Sequence, residues 1–261
     1  MFNINNIIFR GQTNAVNPVN AQPQTAARAD FTISEDKFES TNPKRYTSEF
    51  IIRKLSGQNP EIKKILNEIN IPYQINMDEL NKTLEGHCTQ TQQIAEGLVK
   101  NLPFALESKA HLKEIKDAAY LHDIGKVFIP PEILNKNGKL DDREKAIIQK
   151  HSQLGYELLK NTSLNPITLN LIKNHHQDAK GSGYPVVNKN FKADLDLQIL
   201  SIADKYSALT EVRPYKKALT REEALTIIRA DVRNGKFNPL IYNALVNYTD
   251  NTALTENKIN V

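Results

Sequence analysis

The chain of 261 residues has a single cysteine, Cys88. One thiol excludes an intrachain disulfide framework and cannot build a cysteine-based zinc site. A reducing, cytoplasmic setting is therefore expected. No apolar run approaches the roughly 20 residues that span a bilayer, so no membrane association is expected. Ile4–Phe9 is too short and too polar for a signal-peptide core, and no small-residue cleavage site follows it. No block of one charge sign stands out either. Lys plus Arg is 34 and Asp plus Glu is 30, a formal balance of +4 spread along the chain, which gives no footprint for a nucleic-acid polymer. Strand-type alternation and internal repeats are also missing. At 39% hydrophobic residues the chain suffices for one large domain or two small ones.

Residues 1–44 are rich in Asn, Gln, Thr, Ala and Pro, with scattered apolar residues and no period. Such a segment buries too little apolar surface to offset its ordering entropy, so a disordered tail is expected. Its Ile7-Ile8-Phe9 trio reads as a fluctuating cluster or a docking element for a partner. Over 45–75 a helical extension is predicted, from Tyr46 through Phe50, Ile51 and Leu55, with a second start at Asn59-Pro60 and a break at Ile71-Pro72-Tyr73. Dense amphipathic helix follows over 76–248, and 249–261 reads as a flexible polar tail. Gly, Pro and Asn cluster at Gly125–Pro131, Asn135–Gly138, Gly181–Pro185 and Asn234–Pro239, which are the expected loops. The fold class is all-α.

Five of the predicted helices carry a His or Asp where a Leu would be expected. Leu80, Leu84, His87, Thr91, Ile94 and Leu98 recur every three or four residues, which puts His87 on the core stripe. Ile115, Ala118 and Ala119 lead to His122-Asp123. Ile147 precedes His151, and Leu154 and Leu158 follow it. Ile167, Leu171 and Ile172 run into His175-His176, and Leu197 and Leu200 into Asp204. A single buried histidine usually has a local hydrogen-bond partner and no further role. Seven such groups together are different. A buried unpaired polar group costs on the order of 1–3 kcal/mol and an isolated carboxylate more. Neutral imidazoles cannot neutralise two carboxylates, whereas divalent cations can. Seven ligands exceed the demand of one ion with an open position and fit two ions, with Asp123 as the natural bridge. His111 lies in a charged stretch and reads as a solvated surface residue. Cys88 should point about 100° away from His87 on a helix, as a small packed side chain.

The string His122-Asp123-Ile124-Gly125-Lys126, then His151, His175-His176, Gly181-Ser182-Gly183-Tyr184-Pro185 and Asp204, resembles the HD-GYP family of metal-dependent phosphohydrolases. The similarity runs from about Leu80 to Leu245, and the motifs agree in spacing and order. It implies an HD-domain helical bundle that hydrolyses the cyclic dinucleotide cyclic di-GMP to pGpG or GMP. It implies His87, His122, Asp123, His151, His175, His176 and Asp204 as ligands of two divalent ions, for which Fe, Mn, Ni and Zn all suit the donor set. Asp123 and Lys126 would serve catalysis, Lys126 lying next to the metals. Arg213 and Lys216 match substrate-phosphate contacts, one a planar fork and the other a point charge. Gly183, Tyr184 and Pro185 match the naming motif, linked to substrate binding and to contacts with protein partners; the N-terminal tail is the other candidate for such contacts.

Departures from the family pattern bear on substrate and turnover. Members with three metals carry a Glu one turn before the first His, where this chain has Thr83, so two ions are expected. The usual Glu after the His pair is Gln177, and the usual Asp before the Gly is Lys180, with Asp178 the nearest carboxylate available instead. Backbone carbonyls, Asp178 and Glu85 are candidate partners for the second ring nitrogens of the histidines. The chemistry expected is attack of a metal-bridging hydroxide on phosphorus. Two other readings stay open: an HD phosphohydrolase of another nucleotide, and a weakly active module that binds a cyclic dinucleotide or a protein.

Overall fold

The computed structural model describes residues 43–212 and 217–259. The tail expected over 1–44 lies outside the described residues except for its last two positions, and so do Arg213 and Lys216. The described residues form helices and no strand: α1 Pro43–Gly57, α2 Pro60–Glu68, α3 Met77–Thr83, α4 Thr89–Lys100, α5 Phe104–Glu107, α6 Leu112–Leu121, α7 Pro131–Leu134, α8 Asp142–Gln149, α9 His151–Leu159, α10 Pro166–Asn174, α11 Leu195–Thr210, α12 Arg221–Arg233 and α13 Pro239–Ile259. The all-α expectation holds.

Local chemistry explains where the helices begin. Asn59 accepts from the Glu61 N–H ahead of Pro60, and Asn165 accepts from the Ile167 N–H ahead of Pro166. Asp141 with Glu144, and Thr220 with Glu223, form reciprocal capping boxes. Asp194 caps α11 by accepting from the Leu197 N–H. The apolar stripes then close into one core: Leu80, Leu98, Ile115, Leu154, Leu171 and Leu200 are all buried. Helix α4 packs on α6, α11 and α13, while α9 packs on α10 and on the turn after α6. The extension α1–α2 lies against α9.

Three expectations need correction. The run from Met77 to Leu98 is not a uniform α-helix, because a π turn at Leu84–Cys88 joins α3 to α4. The run from Ile147 to Leu158 is two helices, parted at Lys150. The segment Gly125–Pro131 is not a surface loop. Ile124–Phe128 form a 3-10 turn in which Ile124, Val127 and Phe128 are fully buried. Gly125 makes this possible: a Cβ there would lie 2.0 Å from the His151 carbonyl oxygen and 2.5 Å from the Gly155 nitrogen. The stretch read as a flexible polar tail over 249–261 begins in helix, since α13 runs to Ile259. Thr249, at its start, is buried and accepts from Arg221 Nε. No helix among the described residues is long and apolar enough to cross a membrane.

Candidate metal centre

Six structural elements converge at the polar positions of the stripes. His87 sits in the π turn, His122 follows α6, and Asp123 opens the 3-10 turn. His151 is the first residue of α9, His175 and His176 follow α10, and Asp204 lies within α11. All but the partly exposed His176 are buried.

They assemble as two adjoining groups. Asp123, His151, His175 and His176 bring one donor atom each within 4.8 Å of one another, and so do His87, His122 and Asp204. The carboxylates join the groups. Asp123 Oδ1 is 3.2 Å from His151 Nε2, whereas its Oδ2 is 3.5 Å from His122 Nε2 and 3.8 Å from His87 Nε2. Asp204 divides in the same way, with Oδ1 2.9 Å from His87 Nε2 and Oδ2 3.6 Å from His176 Nδ1. Lys126 Nζ meets Asp123 Oδ2 at 2.6 Å.

The tautomers are fixed from behind. His122, His151 and His175 each donate from Nδ1 to the carbonyl three residues earlier, those of Ala119 at 2.8 Å, Ile148 at 2.6 Å and Ile172 at 2.8 Å. All three stand at a helix end, where such carbonyls lack helical partners. His87 is held differently. Ser207 Oγ donates to Gln90 Oε1 at 3.1 Å, so toward His87 Nδ1, also at 3.1 Å, the hydroxyl can only accept. With Nδ1 engaged in this way, each of these four imidazoles turns Nε2, the atom a metal would take, toward the cluster.

Electrostatics agree with a cation-binding role. Burial first, then neighbouring imidazoles and Lys126, keeps the three histidines of the first group neutral. His151 is pushed down to about 3 and His176 to about 4, and His175 also falls well below its ordinary value. Burial would raise the Asp123 carboxyl, yet Lys126, His122 and His151 carry it well below the usual range. Asp204 is lowered likewise, with His122 and His87 overcoming burial. At His122 burial opposes charge, but Asp123, Cys88 and Asp204 lift the imidazole well above its ordinary value. Positive charge is favoured at that point, and proton and cation compete for it. The buried Nε2 of His122 has no hydrogen-bond partner, an orphaned lone pair aimed into the cluster. Imidazole nitrogens with two ionised carboxylates and one orphaned donor fit divalent metal.

Other residues named from the sequence fall around this centre. Cys88 is buried, as expected of a packed side chain. The π turn, however, also brings its thiol within 4.8 Å of donors on His122 and Asp123, and burial pushes that thiol's pKa up. Gly183 lies against the His pair, where a Cβ would be 1.8 Å from the His176 carbonyl oxygen. The Tyr184 ring stacks on His176, centroids 4.4 Å apart at 33°. Asp178 does not reach the histidines. It accepts from the Lys180 and Ser182 N–H groups and so shapes the loop. Lys180 is exposed. Thr83 donates to the Glu79 carbonyl within its own helix. His111 is at the surface but is tied to Asp196, 2.7 Å from Nδ1.

Ser201, Ser207 and Gln90 were not singled out from the sequence. Ser201 and Ser207 flank Asp204 at three-residue spacing on α11, so a polar stripe was present, but alone it reads as a solvent face. Glu211 extends that stripe and brings Oε2 to 3.5 Å from His87 Nδ1.

A family profile described as an HD domain matches residues 74–241. The chain belongs to the HD domain family. Among the curated relatives of this HD domain, it is 32% identical over 160 residues to "3'3'-cGAMP-specific phosphodiesterase 1" of Vibrio cholerae, covering 61% of this chain and 36% of the relative. It is 36% identical over 141 residues to "Cyclic di-GMP phosphodiesterase response regulator RpfG" of Xanthomonas campestris, covering 53% of this chain and 37% of the relative. The chain thus spans little more than a third of the length of either. Among solved structures, an HD-GYP-type protein of Bdellovibrio bacteriovorus superposes with a TM-score of 0.51 at 17% identity, over 78% of this chain and 63% of that one. That likeness is one of fold.

Proposed function

We propose that this HD domain is a metal-dependent phosphodiesterase that hydrolyses cyclic di-GMP to pGpG or GMP. One observation carries the reading: two groups of buried donors meet, and the oxygens of Asp123 and of Asp204 divide between them. The groups would hold two divalent cations, His151, His175 and His176 on one side and His87 and His122 on the other. Fe, Mn, Ni and Zn all suit the set. Thr83, turned to its own helix, supports two ions rather than three. A bound pair supplies Lewis acidity and acidified water for displacement at phosphorus.

The chain's own residues do the rest. Lys126 keeps Asp123 ionised and places a positive charge at the edge of the cluster, where it can stabilise charge developing on a phosphoryl group. Tyr184 offers an aromatic wall beside His176. Gly183 allows the close approach, while its N–H is already held by Gln177 Oε1 at 3.1 Å. Arg213 and Lys216, assigned to substrate phosphates, lie outside the described residues. Beyond Tyr184 and Pro185 opens a cleft of about 830 Å³ that Lys150 and Lys173 enter and no acidic residue lines, a setting suited to an anionic nucleotide. Val186, almost fully exposed next to Pro185, is the candidate contact for a protein partner.

The 3'3'-cGAMP-specific relative supports a second substrate, the mixed cyclic dinucleotide. Protein loaded anaerobically with Mn or Fe should convert cyclic di-GMP, 3'3'-cGAMP or both to linear product. Tight binding without product would make it a binding module, and cleavage of other phosphodiesters only would make it a general phosphohydrolase.

A further inference from the structure

Gln177 follows the two site histidines and is 1% exposed, although it donates nothing to the metal cluster. Both ends of its carboxamide are engaged. Oε1 accepts from the Gly183 N–H at 3.1 Å, and Nε2 donates to the Pro185 carbonyl. These two anchors flank Tyr184, whose ring lies on His176. Gln177 is itself fixed. Its N–H donates to the Asn174 carbonyl at 2.7 Å, and its carbonyl accepts from Ser201 Oγ at 3.0 Å. The same hydroxyl lies 2.7 Å from the His175 carbonyl. The chain of contacts therefore runs from α11, through Ser201 and Gln177, to the backbone on either side of Tyr184.

We infer that Gln177 is a positioning residue: its neutral amide holds Tyr184 beside His176 and thereby sets how tightly a cyclic dinucleotide is bound, an inference that rests on the function proposed above. The acceptor at Pro185 is a carbonyl, which only a donor satisfies. A carboxylate at position 177 would keep the Gly183 contact and turn an oxygen against the Pro185 oxygen. The amide also leaves Asp123 and Asp204 without a third negative neighbour where an anionic substrate approaches.

Two variants test this, Gln177→Met, which removes both bonds, and Gln177→Glu, which removes the donor. The chain has no tryptophan, so Tyr184→Trp introduces a single indole reporter into each background. Acrylamide quenching of that indole should at least double in both variants. With Tyr184 retained, KM for cyclic di-GMP should rise about tenfold, the size expected from one lost buried hydrogen bond. Metal content, and turnover of bis(p-nitrophenyl) phosphate, which is small enough to need only the metals, should stay within about twofold. Unchanged quenching, unchanged KM, a parallel fall on both substrates, or loss of the folded state in both variants would each overturn the inference. If the unaltered protein cleaves no cyclic dinucleotide, the functional reading fails separately, and quenching still decides whether Gln177 holds Tyr184.

Discussion

Asp204 Oδ1 lies 2.9 Å from His87 Nε2, although 117 residues separate them in the chain. The pair ties α11 to the π turn before α4, and it belongs to the group of donors completed by His122. Its Oδ2 lies 3.6 Å from His176 Nδ1 in the other group, so removing the carboxylate should empty the first cation site and weaken the second. Asp204→Asn is expected to lower bound metal from about two ions per chain to about one and to reduce turnover at least 100-fold. Elemental analysis beside an activity assay checks this; two ions retained in the variant would remove Asp204 from the ligand set.

Ser207 would act on a bound metal only through His87. Its hydroxyl accepts from Nδ1 and so selects the tautomer that frees Nε2. Ser207→Ala is expected to weaken metal binding about 10–100-fold, the usual cost of losing a group that orients a ligand. Competition with a chromophoric chelator measures it. An unchanged affinity would show that Gln90 or Glu211 orients His87 alone.

Gly125 sits where the 3-10 turn meets the start of α9. A Cβ there would meet main-chain atoms, which cannot move aside as a side-chain tip can. Gly125→Ala is expected to destabilise the fold by about 1–3 kcal/mol, the cost of overpacking, and to lower metal content by parting Asp123 from His151. Denaturant melts and elemental analysis read the two effects.

His111 pairs with Asp196, and the hydrogen bond and charge of that carboxylate raise the imidazole above its ordinary 6.5. A raised folded-state value means that the pair's contribution is complete below about pH 6.5 and fades as the pH climbs through the folded value. More than half of the side chain is exposed, so the effect should be about 0.5 kcal/mol or less. His111→Ala is expected to lower stability at pH 5.5 and to match the parent at pH 9. The His111 N–H, which also donates to Asp196, remains in the variant. A gap that widened with pH would exclude the ion pair as its source.

The candidate site was legible in the sequence because its donor residues interrupt apolar stripes. His87, His151 and Asp204 each fall where periodicity demands burial, and periodicity is a local property that a linear chain displays. What was not legible depends on contacts between distant segments. Nothing near Gly125 announces that α9 will press on it and turn an expected loop into core. Ser207 looks like one more polar residue on a helix until His87 is placed against it. Gln177 reads as a departure from the family pattern until the Gly183 N–H and the Pro185 carbonyl are seen to use both ends of its amide. The π turn from Leu84 to Cys88 was not legible because Leu80, Leu84, His87 and Thr91 keep ordinary three- and four-residue spacing through it.

The residues between His122 and Phe128 combine candidate metal ligands with packing: two donors come first, and fully buried apolar side chains follow at once. Mutational drift meets two penalties there, because a change that silences the reaction also loosens the interior. A descendant that gave up turnover while keeping its shape would therefore retain this string and diverge around it, at Tyr184 or Lys180. Inheritance of the motif alone would then mark ancestry, and the rim would mark present-day use.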